Sequence, residues 1–403
     1  MIYKILYISA VIPDTTSGGR FAMYRHLIIK KDFEVAVAST NFVKLPINQH
    51  LEISQNRLIK RLKRTRICRL ISNLEYIQNW INIPNSLLKF ANDFQPDVIV
   101  SVVDDWHIGL AYQLAQKLKI PLVVNFQDLF CLSQFVPLSI RPYPWVKSWL
   151  IQRYRQVNQV ANQVFYTSEG MKEWFGVDAQ GDVLYPIGNF DVELSLEQRL
   201  NPQDKVTIIY AGNCYGAYGR MLLRLAEAVK QHQHIHLQIF AAGNDWQEEK
   251  LQEMTEAGIY QGFKPFDELK DKLKQADAFL TVMSFEQEEE VFMQTSFTTK
   301  WLDYVPYGKP VFVWSPEYST ACSFAKKYQS GIPVIQDDPE ELLKVISETA
   351  SNPTAWFSAC EGSRRIAETV LNAEQIHHLF VERVTNVCQE CNITNSQDGI
   401  YSA

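Results

Sequence analysis

TSFTTKWLDYVPYGKPVFVW, Thr295 to Trp314, holds a helix, a stop and a strand in one short run. It opens on hydroxyl residues and a lysine, becomes amphipathic, halts at Gly308 and continues as apolar residues. A helix that leads at once into a buried strand is half of a βαβ unit, so the strand belongs to a parallel sheet. The spacing predicts a helix over 298–305, with Ser296 and Thr298 capping its start and Gly308 ending it. Hydroxyls and exposed N–H groups of Ser296, Phe297, Thr298 and Thr299 at a helix start suit a phosphate, and Lys300 adds a point charge. Asp303, one turn on and expected to face inward, suits the two hydroxyls of a ribose. A capped helix is the plainer reading. Capping alone does not call for Lys300 and Asp303 on the same short helix.

The same alternation runs outward in both directions. Expected strands in the first half are Lys4–Ser9, Glu34–Ser39, Asp97–Val103, Pro121–Phe126 and Val164–Thr167, with helices over Gly109–Leu118 and Trp145–Val160. A second set follows: Val206–Ala211, His236–Ala241, Ala278–Met283, Pro310–Trp314 and Ile332–Ile335, separated by helices such as Arg220–Gln231, Asp267–Gln275 and Pro339–Ala350. The polar stretch 189–205 reads as a linker. The expectation is α/β architecture with two Rossmann-like, doubly wound domains facing across a cleft, ligands lying at the carboxyl ends of the strands.

Bulk properties agree. A chain of 403 residues is too long for one ordinary core and implies two domains of roughly 150–200 residues. The 46% hydrophobic and 21% charged content is that of a globular protein, and the net charge of -6 argues against nucleic acid as a partner. Seven scattered cysteines, with Cys388 and Cys391 as a lone C-x-x-C, fit a reducing compartment and form no zinc signature. No apolar run approaches the ~20 residues of a membrane-spanning helix. The N-terminal run carries Lys4 inside it and reads as a first buried strand rather than a signal peptide.

In the first half, Gly18 and Gly19 follow the first strand and precede a helix, so backbone N–H groups can approach an anion there; a simple βα turn is the plainer reading. The strand VIVSVV ends in Asp104, Asp105, Trp106 and His107 before a helix opens. His107 could bond a sugar hydroxyl or move a proton, or merely cap that helix. Asp104 and Asp105 alternate across the strand, so no metal is predicted. Asp128, past the next strand, is a candidate contact for a transferred group or else an N-cap. The stretch 57–81 carries Arg57, Lys60, Arg61, Lys63, Arg64, Arg66 and Arg69, with no acid before Glu75 and apolar residues at near-helical spacing. This is the make-up of an interfacial helix on an anionic membrane, or of a solvated basic face.

In the second half, Gly212, Gly216 and Gly219 punctuate a strand–loop–helix in which the loop could approach a diphosphate, with Arg220 just inside the helix. Lys264 lies in the loop after a short strand near 260. His232, His234 and His236 span a helix end and the next strand and are not taken as a metal site.

Taken in order, GG after the first strand, DDWHIGLA, IIYAGN, IFAAG, ELKDKLKQADAFLTVM and TSFTTKWLDYVPYGKPVF resemble the retaining nucleotide-sugar glycosyltransferases of family four, which have the GT-B fold. The resemblance covers Ile5 to about Val384. It implies that Gly18 and Gly19 lie near the donor diphosphate, that His107 sits near the transferred sugar, that Ser296–Lys300 bind phosphate and that Asp303 holds the ribose. It also implies no metal, because cations and helix N-termini stabilise the leaving diphosphate. The family has Arg where this chain has Asn213 and Lys where it has Tyr218; Arg220, Lys264 or Lys300 would then substitute. Of the family's two glutamates, the first position is Thr295 and the second Asp303.

The resulting expectation is a cytoplasmic glycosyltransferase, associated with the cytoplasmic face of a membrane, moving a hexose from a UDP- or GDP-sugar to a saccharide or lipid-linked acceptor, with no resident cofactor. A nucleotide-sugar-binding scaffold without turnover and a nucleotide-sugar epimerase are the alternatives. The expected domains are 1–188, which takes the acceptor, and 206–352, which takes the nucleotide sugar. A helical segment over 353–388 is expected to cross back, followed by a tail over 389–403.

Overall fold

The computed structural model describes residues 2–15, 18–40, 45–47, 49–53, 57–103, 107–129, 136–176, 179–190 and 205–400. Residues 191–204 of the linker expected over 189–205, and Asp104, Asp105 and Trp106, lie outside them. The chain divides into two compact units, Met1–Ile187 with Ile376–Ala403, and Gly188–Gln375.

The first unit is built on seven parallel strands: β1 (Lys4–Ile8), β2 (Glu34–Ser39), β3 (Gln49–Glu52), β4 (Val98–Val102), β5 (Leu122–Phe126), β6 (Gln163–Tyr166) and β7 (Asp182–Val183). Their order is β3-β2-β1-β4-β5-β6-β7. Every residue of β4 and β5 is buried, as continuous apolar runs in a sheet covered on both faces must be. The connecting helices are α1 (Gly18–Tyr24), α2 (Arg57–Leu62), α3 (Cys68–Gln78), α4 (Asn85–Phe94), α5 (His107–Leu118), α6 (Pro144–Val160) and α7 (Glu169–Phe175). Two short strands, β3 and β7, were not expected. Each has two to four residues at a sheet edge, too few for a period-2 pattern to register. The basic stretch 57–81 is not one helix. α2 ends at Leu62, and a turn in which Thr65 Oγ1 donates to Leu62 O at 2.6 Å separates it from α3. A threonine hydroxyl that takes a carbonyl from the helix ladder favours such a turn.

The second unit repeats the plan with β8 (Val206–Ala211), β9 (Ile235–Phe240), β10 (Tyr260–Gly262), β11 (Ala278–Val282), β12 (Val311–Trp314) and β13 (Ile332–Val334), all parallel, in the order β10-β9-β8-β11-β12-β13. Its helices are α8 (Gly216–Val229), α9 (Glu248–Glu256), α10 (Phe266–Gln275), α11 (Glu290–Thr295), α12 (Lys300–Tyr304), α13 (Thr320–Tyr328), α14 (Pro339–Ala350) and α15 (Pro353–Glu368). Ile208, Leu225, Leu237, Leu280, Trp314 and Trp356 sit in one buried core cluster. In both sheets the direction of winding reverses beside the first strand, between β1 and β4 and between β8 and β11. Loops leaving two neighbouring strands in opposite directions open a crevice at that point.

The last helix, α16 (Ala373–Ile400), belongs to the first unit from Ile376 onward, whereas α15 belongs to the second. Charged contacts hold α16 there. Arg383 Nε donates to Asp182 Oδ2 at 2.7 Å, and His377 Nε2 donates to Asp32 Oδ2 at 2.8 Å. His377 Nδ1 also lies within hydrogen-bond distance of His26 Nδ1, at 3.2 Å.

Candidate nucleotide-sugar site

The crevice between β8 and β11 is assembled from three pieces of chain. β8 ends in Tyr210, Ala211 and Gly212; α8 brings Tyr218; and the connection from β11 to β12 brings α11 and α12. α12 is one short α-turn that tightens into a 3-10 turn over Val305–Tyr307 and stops at Gly308, whose φ of 59° is the left-handed stop the sequence implies. The expected capping is not observed. Ser296 closes α11, its N–H bonded to Phe292 O at 2.8 Å, and Thr299 makes no side-chain cap. Thr298 Oγ1 instead lies 3.4 Å from Thr281 Oγ1 on β11, and Thr320 Oγ1 donates to Ser296 O. Phe297 is buried edge-on against Phe324, with ring centroids 5.1 Å apart. These contacts fix the loop before α12 from inside the fold.

Trp301 and Tyr304 root α12 in the core, and the Tyr304 hydroxyl accepts the Ala211 N–H at 2.8 Å, which ties α12 to the end of β8. The helical spacing of Lys300 from these buried residues carries its side chain back over the β8 loop. Its ammonium lies 5.1 Å from the Tyr210 ring centroid and 5.8 Å from that of Tyr218. Gly212 makes this path available. A Cβ there would come 2.5 Å from Lys300 Cε, at a φ of +156° that side-chain-bearing residues rarely adopt. Among the described residues Lys300 makes no hydrogen bond or ion pair. Burial pushes its pKa down to about 8, while Asp303 acts in the other direction. Asp303 is exposed rather than inward-facing, because Trp301 and Tyr304 take the buried positions of so short a helix.

The remaining predicted donor contacts are placed differently. Arg220 is engaged by Glu286, with Nε 2.9 Å from Oε1, and this pairing raises its pKa. Lys264 follows edge strand β10 and pairs with Glu268 at 3.6 Å. The glycine loop after β8 was expected to leave the start of α8 open to a diphosphate. Asp245 takes that place instead: its Oδ2 accepts the Gly216 N–H at 2.8 Å, and its Oδ1 lies 2.5 Å from where a Cβ on Gly219 would be. A carboxylate of the chain's own satisfies the positive end of α8, so an anionic ligand would meet repulsion there. Position 295, where the resembled family has its first glutamate, is fully buried, and Thr295 Oγ1 bonds back to Val291 O at 2.7 Å.

In the first unit, Gly18 and Gly19 are the first residues of α1. A Cβ on Gly19 would come 2.6 Å from Gln127 Oε1, so this glycine admits a side chain from the loop after β5. His107 is buried as the first residue of α5, while Asp128 is exposed beyond β5.

Tyr210, Tyr304, Asp245 and Gln127 were missed in the sequence. Tyr210 and Tyr304 read as ordinary core aromatics. Asp245 and Gln127 act only because strand order brings their loops beside the glycines.

Residues 52–183 match the family described as Glycosyl transferase 4-like domain. A glycosyltransferase from Rickettsia africae has a TM-score of 0.64 at 14% identity, covering 96% of this chain and 98% of that one. The chain carries a glycosyltransferase domain on the GT-B fold. The domain match, with the shared fold, supports a transferase. Sucrose-phosphate synthase from Thermosynechococcus elongatus superposes with a TM-score of 0.63 at 13% identity over 96% of this chain and 99% of its own. Anabaena HepE, solved in complex with UDP and glucose, gives 0.61 at 14% identity over 96% of this chain and 100% of its own. No curated protein matches the chain.

Proposed function

We propose that this GT-B chain transfers a hexose from a UDP- or GDP-sugar to a saccharide or lipid-linked acceptor, with retention of configuration. The observation that carries the reading is Lys300. An ammonium sunk between two tyrosine rings, in no hydrogen bond or ion pair among the described residues, sits at the switch point of the second unit. A diphosphate there supplies a directly paired negative charge. As the bond from the sugar to the diphosphate breaks, charge builds on the leaving oxygens, and a cation already in place stabilises it without reorganising. Asp303, exposed on the same helix, would accept hydrogen bonds from the ribose hydroxyls. His107 and Asp128 remain the proposed contacts of the transferred sugar. The structure with UDP and glucose solved for HepE supports this class of donor.

The basic stretch 57–81 supports a site of action at an anionic membrane on its cytoplasmic face. Among the described residues no helix is long and apolar enough to cross one. Assembly of a polysaccharide or glycolipid is the matching role.

One observation favours a second reading, a nucleotide-sugar-binding protein without turnover: Arg220 is held by Glu286, and Asn213 and Tyr218 are neutral. A donor screen by mass spectrometry, with and without acceptor, separates the readings. Release of UDP or GDP from one donor, weakened in Asp303→Ala, is the expected result. Binding without release selects the second reading, and failure to bind either nucleotide removes both.

A further inference from the structure

The first unit carries a charge asymmetry larger than the 57–81 stretch alone. From 129 to 168 there is no Asp or Glu, while Arg141, Lys147, Arg153 and Arg155 are present; from 53 to 92 the sole acid is Glu75. Glu75 is buried and taken by Lys63. A chain of net charge -6 therefore has two segments, far apart in sequence, that are locally basic because acids are all but missing from them.

The fold brings those segments together. Arg69 on α3 donates to Arg141 O at 2.9 Å and to Pro142 O at 3.3 Å, and its guanidinium lies 4.4 Å from the Tyr143 ring centroid. Asn73 Oδ1 accepts the Tyr143 N–H at 2.8 Å, and Tyr76 OH donates to Ile140 O at 3.0 Å. The run leading into α6 is thus bound along α3. Large apolar side chains stay exposed on both partners: Leu70 at 44% and Leu74 at 51%, one turn apart on α3, and Leu138 at 66% and Trp145 at 59% on the bound run. Arg64 and Arg66 are exposed at the turn before α3.

We infer that the run 137–145 and α3 form one interfacial patch that seats on an anionic lipid bilayer, with Leu138 and Trp145 entering the headgroup–acyl boundary. This rests on the membrane reading above and extends it to a segment that reading did not include. The pattern decides for a bilayer over a soluble polyanion. Cations alone would serve the latter, whereas exposed apolar side chains on the same two basic segments, with a tryptophan among them, match the layered chemistry of a membrane surface.

The test is sedimentation of the full chain with phosphatidylcholine vesicles, with and without phosphatidylglycerol, at low and high salt. The expected result is that Leu138→Ser with Trp145→Ser weakens binding to phosphatidylglycerol vesicles about tenfold or more and removes what persists at high salt. Arg64→Ser with Arg66→Ser should remove mainly the salt-sensitive part. Unchanged melting temperatures show that the variants fold. If the arginine variant loses binding while the Leu138 and Trp145 variant binds like the parent, this inference is overturned and the membrane reading stands. If the parent ignores anionic vesicles, or binds heparin but no vesicle, both fall.

Discussion

Replacing Lys300 by Met keeps the length and apolar stem of the side chain and removes only its charge. Two effects with opposite signs follow from the geometry. In the free protein, burial holds the ammonium at about 8, against 10.5 for an unburied lysine. Between these values the unfolded chain binds more protons than the folded one, so stability rises with pH through that window. Below it the buried charge costs up to ~3 kcal/mol, and partial exposure of the side chain reduces this to about 1–3 kcal/mol. Lys300→Met should therefore be more stable than the parent by about 1–3 kcal/mol near neutral pH, with the gain vanishing above about pH 10. For the ligand the sign reverses. A charge-assisted bond to a diphosphate contributes about 1.5–3 kcal/mol, so UDP or GDP should bind about 10- to 150-fold more weakly to the variant. In the parent, affinity should fall as pH rises from about 7 to about 9, because binding requires the protonated form. Calorimetric titration of both nucleotides across that range, with urea unfolding of both proteins, measures all of this. A variant that binds nucleotide like the parent and is no more stable would refute the assignment of Lys300 as an unneutralised diphosphate ligand.

Gly212→Ala places a methyl 2.5 Å from Lys300 Cε at a strained φ, so it should displace the ammonium and weaken nucleotide binding about tenfold; in the Lys300→Met background the loss should shrink, which a double-mutant cycle reads. Lys309→Met removes an ammonium that donates to Leu273 O, Lys274 O and Ala276 O at 3.1, 2.6 and 2.5 Å and closes the end of α10. It should lower unfolding stability by about 2–3 kcal/mol, measured by urea denaturation, without changing nucleotide affinity. Burial, then the neighbouring His377 and Arg25, hold His26 well below its usual value of 6.5, so acid charges the unfolded chain first and stability falls as pH drops below about 6.5. His26→Phe, packed against Phe380, should flatten that acid limb in melting curves; an unchanged limb would place the acid sensitivity elsewhere.

The strands that matter most were legible because they are long and buried on both sides. VIVSV, LVVNF and VFVW have no competing helical period, and Gly308 marks its helix end in any context. β3 and β7 were not legible, since a few residues at a sheet edge carry no period. The site was legible by residue type and less so by role. Lys300 stands out as a lysine at the start of an amphipathic run, and the structure gives it two aromatic neighbours. Ser296 and Thr298 looked like caps, yet the Ser296 carbonyl accepts from Thr320 and the Thr298 hydroxyl meets that of Thr281, both of them well away in sequence from the helix they precede. The glycines after β8 suggested an open anion site, and Asp245 closes it from the loop after the neighbouring strand.

The sequence by itself determined the alternation of strand and helix, the two-fold repetition of that pattern, and the supply of lysine, hydroxyl and glycine at strand ends. These are properties of single segments, set by local period and residue chemistry. Only the tertiary structure decided that, among the described residues, Arg220 enters an ion pair and Lys300 does not. Arg220 is held by Glu286, far along the chain, whereas Lys300 lies over Tyr210, Tyr218 and Gly212. The reason is that charge pairing depends on distances of a few ångströms between loops, and those distances follow from strand order rather than from position along the chain.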